Sequence, residues 1–405
     1  MNIILFDDDT SNKLLPLTFT KPVSEIRIGI LTVKEKWETI SNCVVSYLTH
    51  EYLNQKFKTI KSTTLDNYFI NSKIIPDADF FKEVQKLKPG KGLKQDKTLL
   101  AVNAGKDDSN LKDFIKNAEA YKEPVLQINN LCDIFMKNGE ALHLDFDLLT
   151  NLPAGKAGKQ KSAALEDSVT VIGKKNLIFL EKGAKAEGCV FNTTNGPIYI
   201  GKNAEVMEGA LVRGPFALGE ESVLKMGAKI YGPTTVGPHC KVGGEVNNSV
   251  IFGYSNKAHD GFLGNSVIGE WCNLGADTNT SNLKNNYGNV KLFSYVSNKN
   301  EDTGLQFCGL IMGDHSKSGI NTMFNTGTVV GVGSNVFGAG FPPTHIPSFS
   351  WGGKDGLETH RINKMTETAE RVFARREMTL DDLDRKILAK IFKETIHHRK
   401  EKINH

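Results

Sequence analysis

The stretch that decides the fold is residues 200–242, IGKNAEVMEGALVRGPFALGEESVLKMGAKIYGPTTVGPHCKV. Its aliphatic residues Ile200, Val206, Val212, Leu218, Leu224, Ile230, Val236 and Val242 recur in steps of six. With about a quarter of positions aliphatic in an average chain, such a run arises by chance on the order of once in 10^5. Glycine follows directly at Gly201, Gly219, Gly237 and Gly243. A period of six matches neither the helical repeat nor two-residue strand alternation. It is the period of a parallel β-helix: each hexad is one short strand and a turn, and three hexads close one triangular coil.

Outward from this stretch, the repeat extends from about Val169 to Phe341. After Val242 the spacing slips by two residues and resumes at Val250, Asn256, Phe262, Ile268 and Leu274. An excursion then spans Asp277 to Leu310, in which Lys291–Ser297 and Thr303–Phe307 are expected to pair as a hairpin. The step of six returns at Met312, Ser318, Phe324, Val330 and Val336. Slips and excursions mark where a solenoid builds a site, because coils carry stability and loops carry function.

The flanks differ in kind. Residues 1–150 alternate short apolar runs (Asn2–Phe6, Cys43–Leu48, Lys97–Asn103, Pro124–Ile128) with helix-like stretches, Leu111–Tyr121 and Leu131–Asn138. That alternation predicts an α/β domain with a partly parallel sheet. A linker is expected over 151–168, the β-helix over 169–345 and a helical tail over 346–405. Two apolar stripes in the tail, Ile362, Met365, Ala369, Val372, Phe373 and Leu380, Leu383, Ile387, Ile391, Phe392, predict two helices that cap the prism or pack between subunits.

Composition narrows the classes. Charged residues make up 24% and hydrophobic residues 39%, which is ordinary for a soluble protein. A net charge of +4 over 405 residues does not point to nucleic acid. No apolar stretch is long enough to span a bilayer, so no membrane partner is expected. The start lacks the pattern of a secretory leader, and the six cysteines form no CxxC pair. Both features lead us to expect a cytoplasmic protein with free thiols and no metal site.

The candidate chemistry lies in residues 245–282, EVNNSVIFGYSNKAHDGFLGNSVIGEWCNLGADTNTSN. His259 stands in the slipped coil among small and polar residues, with the amides Asn247, Asn273 and Asn282 nearby. A neutral imidazole accepts a proton from an attacking amine, and amide donors stabilise a developing oxyanion. Acyl transfer from a thioester needs nothing further.

Over roughly residues 200–340, and most strongly from Gly244 to Ala276, the chain resembles the acetyltransferase half of GlmU-type bifunctional proteins, in particular their archaeal-like subgroup. These acetylate glucosamine-1-phosphate and then make UDP-N-acetylglucosamine. The resemblance implies a left-handed parallel β-helix that assembles as a homotrimer and uses acetyl-CoA. It implies that His259 is the general base, that Asn282 and Asn273 hold the sugar or the reaction centre, and that Ala276 and Gly338 contact acetyl-CoA. Phe262 stands where the family has a tyrosine that contacts the sugar. Asn247 replaces a phosphate-binding lysine, and Tyr231-Gly232-Pro233 stands where an Arg-Pro is usual. Lys257, Lys284 and Arg213 are other cations available to a sugar phosphate, Arg213 being expected one coil from Tyr231.

The first domain is also similar to sugar nucleotidyltransferases, through Lys13-Leu14-Leu15-Pro16-Leu17-Thr18-Phe19-Thr20-Lys21-Pro22. The family's glycine-rich phosphate loop is replaced by Asp8-Asp9-Thr10-Ser11-Asn12-Lys13, and its metal-binding Gly-Asp by Asn103-Ala104. Lys13, Lys21, Arg27 and Asn103 are the candidate nucleotide-binding residues, with Mg2+ expected only if this domain is active. The reading is therefore a sugar-phosphate N-acetyltransferase fused to a divergent nucleotidyltransferase domain, taking a sugar phosphate and a nucleoside triphosphate. Two alternatives stay open. One is a thymidylyl- or uridylyltransferase that uses the β-helix as a trimerising platform. The other is a degenerate scaffold that binds sugar nucleotides.

Overall fold

The computed structural model describes residues 1–106, 111–150 and 162–399, so most of the expected linker (151–161) lies outside the described residues. The chain divides into two compact units. The first comprises Met1–Leu14, Lys21–Ile26 and Leu31–Asn130.

Its sheet contains β1 (Asn2–Phe6), β2 (Val45–Leu48), β3 (Asn67–Asn71), β4 (Lys91–Gln95), β5 (Thr98–Asn103) and the short β6 (Glu119–Ala120). The strand order is β2-β1-β3-β5-β4-β6. β1 runs parallel to both neighbours, whereas β5 is antiparallel to β3 and β4. The helices are α1 (Val33–Ser41), α2 (Ala78–Gln85) and α3 (Leu111–Asn117). A capping box starts α1: Glu35 N donates to Thr32 Oγ1 (3.1 Å), and Thr32 N donates to the Glu35 carboxylate (2.7 Å). Pro124–Ile128, expected as a strand, makes only an isolated bridge from Gln127 to Ile74. Pro124 has no N–H for a ladder.

The second unit comprises Leu15–Thr20, Arg27–Ile30 and everything from Leu131 onward. The division thus falls at Asn130, before the boundary expected at 150. Helices α4 (Leu131–Met136) and α5 (Asn138–Thr150) bury their apolar faces in this unit. Asn138 Oδ1 accepts from Gly29 N (2.7 Å) and from Thr235 Oγ1 (3.1 Å) of the prism, and Asp145 Oδ2 accepts from Ile30 N (2.7 Å).

The prism is a parallel β-helix with three faces. One is a nine-stranded sheet from Ile178–Leu180 to His345–Ile346. The second has ten strands, starts at Lys185–Ala186 and ends in the antiparallel hairpin Ser350–Gly353/Gly356–Thr359. The third has six strands, Thr170–Ile172 to Phe262–Gly264. Ile198 pairs with Phe216 and Phe216 with Thr234, an offset of 18 residues per coil, or three hexads. All eight aliphatic residues of the opening stretch are no more than 2% exposed and form one core. At about 25 cal/mol per Å2 of apolar surface, this stacked interior is the main stabilising term.

The register after Val242 differs from the expectation. Val246, Ile251, Lys257 and Leu263 point inward, not Asn256 and Phe262. Thr235 pairs with Val250 and Val250 with Val267, offsets of 15 and 17. The missing residues come out of the corners, so the strands stay paired while the inward position moves by one. Ile268, Leu274, Met312, Phe324, Val330 and Val336 are buried as the spacing requires. The hairpin of the excursion pairs Lys291–Ser294 with Lys299–Asp302, a tighter register than expected.

The tail forms α6 (Ile362–Ala374) and α7 (Asp382–Glu394). Rather than only capping the prism, α6 runs back along one of its edges. Before it, His360 Nδ1 meets Gly333 O (3.0 Å); after it, Arg376 Nη2 donates to His239 O (2.9 Å). Between these anchors the Phe373 ring stacks on Trp271, centroids 3.9 Å apart. Trp271 in turn stacks on Tyr254 (4.2 Å), and Tyr254 on His239 (4.7 Å).

Candidate active site

His259 lies at a corner between the ten- and six-stranded faces, two residues past the strand Asn256–Lys257, and its side chain is exposed. Below it, the preceding coil turns at Gly243-Gly244. Gly244 has φ +70°, and a Cβ there would stand 2.8 Å from His259 O and 2.8 Å from Lys257 Nζ. Only glycine suits both the angle and the space. Gly244→Ala is expected to destabilise the fold by about 1–3 kcal/mol and to lower turnover about tenfold or more by displacing the His259 backbone. A thermal melt read beside an acetyl-transfer assay checks both.

A cleft of about 610 Å3 runs along the ten-stranded face beside His259. Lys241, Asn256, Asn273 and Lys317 take successive places on its floor. His259, Ala276 and Ile320 line it from one corner, and Tyr254 and Trp271 from the other. Val372, Arg375 and Arg376 enter from the end of α6. Among the described residues, four cations (Lys241, Lys317, Arg375, Arg376) line the cleft and no carboxylate does. Burial lowers the Lys317 pKa, and this ammonium donates to His315 O (3.1 Å).

Asn247, Phe262 and Asn282 lie around the corner from the cleft. Asn247 pairs in register with Gly264. A Cβ on Gly264 would meet Phe262 Cζ at 2.5 Å and Asn282 Nδ2 at 2.6 Å, so the absence of a side chain keeps these two groups together. Asn282 Nδ2 donates to Asn265 Oδ1 (2.8 Å). Farther along the same face, Tyr231 pairs with Asn247, and Val212 with Ile230, which places Arg213 beside Tyr231. Arg213, Lys229 and Tyr231 line a hollow of about 460 Å3.

The remaining candidates fall elsewhere. Gly338 sits at an exposed turn with φ +106° and is not part of the cleft lining. Lys284 Nζ donates to Asn289 O (2.5 Å) within the excursion. Lys257, expected to meet substrate, is inside the prism and 2% exposed. It takes the inward place that Val242 holds one coil earlier. Its ammonium donates to His259 O (2.7 Å) and Gly243 O (3.0 Å).

Burial pushes the Lys257 pKa down to about 8 from 10.5, against the pull of Asp260 and Asp277. The unfolded chain therefore binds the proton more tightly between these two values, and native stability rises with pH across that window. The contribution of Lys257 to this rise is at most about 3 kcal/mol. Urea titrations at pH 7.5 and 9.5 are expected to show a smaller rise in Lys257→Met than in the parent chain.

In the first unit, Lys13 is exposed and Lys21 buried, while Arg27 belongs to the second unit and donates to Ile30 O. Asn103 is buried as a turn lock: its Nδ2 donates to Leu87 O (2.8 Å), and its Oδ1 accepts from Gly105 N (2.9 Å). Asp7 and Asp8 follow β1, at the sheet edge where parallel α/β sheets hold ligands. All four of their carboxylate oxygens already accept hydrogen bonds. Asp7 takes them from Ser72, Val23 N and Thr49, and Asp8 from Thr10 and Asn71 and from Lys73 at 2.9 Å. Burial pushes the Asp7 carboxyl pKa up. Burial also opposes the charge of Asp8, but the bonds from Thr10, Lys73 and Asn71 outweigh it and hold that carboxyl low. These bonds tie the pair to its neighbours within the unit. Lys73, which closes it, carried no signal in the sequence.

Residues 3–152 match the family model for sugar nucleotidyl transferases. The bifunctional sugar-1-phosphate nucleotidylyltransferase/acetyltransferase of Sulfurisphaera tokodaii is 25% identical over 387 residues, covering 83% of this chain and 96% of that one. The bifunctional protein GlmU of Methanocaldococcus jannaschii is 37% identical over 87 residues, and that match spans only 21% of its length. Among solved structures, the Arabidopsis UDP-N-acetylglucosamine acyltransferase aligns with 60% of this chain and 99% of its own, at 14% identity and a TM-score of 0.24. Residues 3–152 thus match the sugar nucleotidyl transferase family model, and over most of its length the chain is similar to a bifunctional nucleotidylyltransferase/acetyltransferase.

Proposed function

We propose that the β-helix transfers an acetyl group from acetyl-CoA to the amine of an amino-sugar phosphate of the glucosamine-1-phosphate type. The fused first domain then couples the product to a nucleotide. The observation that carries this reading is the cleft itself: a polyanion-sized groove lined, among the described residues, by four cations and no carboxylate, with an exposed imidazole on its rim. Charge-assisted bonds from Lys241, Arg375 and Arg376 suit the phosphates of CoA. Ala276 leaves space for the thin pantetheine arm.

Acetyl-CoA supplies an activated acyl carbon. His259 takes a proton from the sugar amine as the new N–C bond forms and the C–S bond breaks, and the leaving sulfur is reprotonated to the thiol. Asn247, Phe262 and Asn282 hold the acceptor on the adjoining face. Arg213 supplies positive charge where the substitutions at Tyr231 and Asn247 removed it, while Lys229 lies 4.0 Å from the Glu245 carboxylate. The solvent-exposed Ile172 and Leu211 on that face support packing against further copies, as in the expected homotrimer.

The test is release of free thiol from acetyl-CoA with glucosamine-1-phosphate, alongside pyrophosphate release from UTP or dTTP with the acetylated product. Thiol release that depends on the amino sugar supports the reading. Its absence, with pyrophosphate release intact, assigns the chain to nucleotidyl transfer with the β-helix as a platform.

A further inference from the structure

The coils of this β-helix fill their interior with small or apolar side chains, and a charge placed there loses most of its hydration. Lys257 breaks that rule at the one coil that carries His259. It occupies the slot of Val242 on the coil below, is almost wholly buried, and spends its ammonium on two main-chain carbonyls. One is Gly243 O at 3.0 Å, from the lower coil; the other is His259 O at 2.7 Å, from its own coil. The adjacent Gly244 leaves the space this bridge needs.

We infer that Lys257 is a positioning residue for His259, an internal strut that fixes the backbone of the His259 corner and so aims the imidazole at the cleft. The inference rests on the acetyl-transfer reading for its catalytic consequence but not for its geometry. Three features carry it. The turn beneath it is short: the chain goes from Val242 to Glu245 in three steps where Leu224 to Lys229 takes five, so the full-length His259 corner rests on a clipped turn with fewer residues to pin it. The hydrogen bond goes to the carbonyl of His259 itself. A methionine would fill the rung equally well, so filling the core does not require an ammonium.

Lys257→Met is the test, since it keeps the length of the side chain and deletes the bridge. The expected result is a melting temperature equal to or above that of the parent. Turnover is expected to fall about tenfold or more, with KM for acetyl-CoA within about twofold. A turnover within about twofold of the parent overturns the inference. So does loss of the fold, because a positioning ammonium is dispensable to the core.

A second readout separates this inference from the functional reading. The chain has ten histidines, and the His259 ring signal in a carbon-13 spectrum is identified by its loss in His259→Gln. In Lys257→Met that signal is expected to shift and broaden while the other nine hold. An unmoved His259 signal overturns the inference. If the parent transfers no acetyl group at all, the functional reading falls and the histidine spectrum still decides the positioning role.

Discussion

His259→Ala is expected to lower the turnover of acetyl transfer by about 10^2 to 10^4-fold, the range that a positioned general base contributes. The loss is expected in turnover and not in acetyl-CoA affinity, because the cations that line the cleft are untouched. Stability is expected to stay within about 0.5 kcal/mol, since the side chain is exposed and the Lys257 bridge holds the backbone rather than the ring. Steady-state rates of thiol release, with acetyl-CoA binding measured by calorimetry on the same samples, check both parts. A variant that turns over like the parent removes His259 from the chemistry.

The second large effect concerns the end of α6. Replacing Arg375 and Arg376 together by alanine is expected to weaken acetyl-CoA binding by about 30- to 1000-fold, from two charge-assisted bonds worth roughly 1.5–3 kcal/mol each and partly redundant. Arg376 also donates to His239 O, so Arg375→Ala alone serves as the cleaner control, because α6 keeps its anchor. Calorimetry with CoA and with dephospho-CoA, at low and high salt, distinguishes a phosphate contact from general attraction. Equal affinity in parent and double variant places the phosphates elsewhere.

The fold was largely legible because a solenoid writes its period into the sequence. Eight hexads in a row admit one architecture, and the inward positions follow from counting. Counting failed where coil length changed. Asn256 and Phe262 were expected inside, and Ile251, Lys257 and Leu263 are there instead. A residue removed at a corner leaves every strand pair intact, so local sequence carries no mark of it. The same shift explains why Lys257 was read as a surface cation.

The site was legible in part. His259, Asn273 and Ala276 come together in the cleft, while Asn247, Phe262 and Asn282 gather on the next face. Arg375 and Arg376 were missed because they arrive from a helix more than a hundred residues later in the chain. The landing strip for that helix is the column His239, Tyr254, Trp271, which shows no constant spacing in sequence. In space the rings are stacked, because short coils bring unequal separations into line. In the first unit, Lys73 and Asn103 serve the turns after β3 and β5, contacts that no linear pattern announces.

The path of α6 has a consequence for how the molecule comes apart. Stacked repeats ordinarily feel only their immediate neighbours, so an end coil frays alone and the loss spreads one rung at a time. Here a single helix is clipped to the rung of Gly333 at one end and to that of His239 at the other, with Trp271 gripped between. Rungs far apart in the stack are therefore melted together or not at all, and the cleft beside His259 lies within the cooperative block they form.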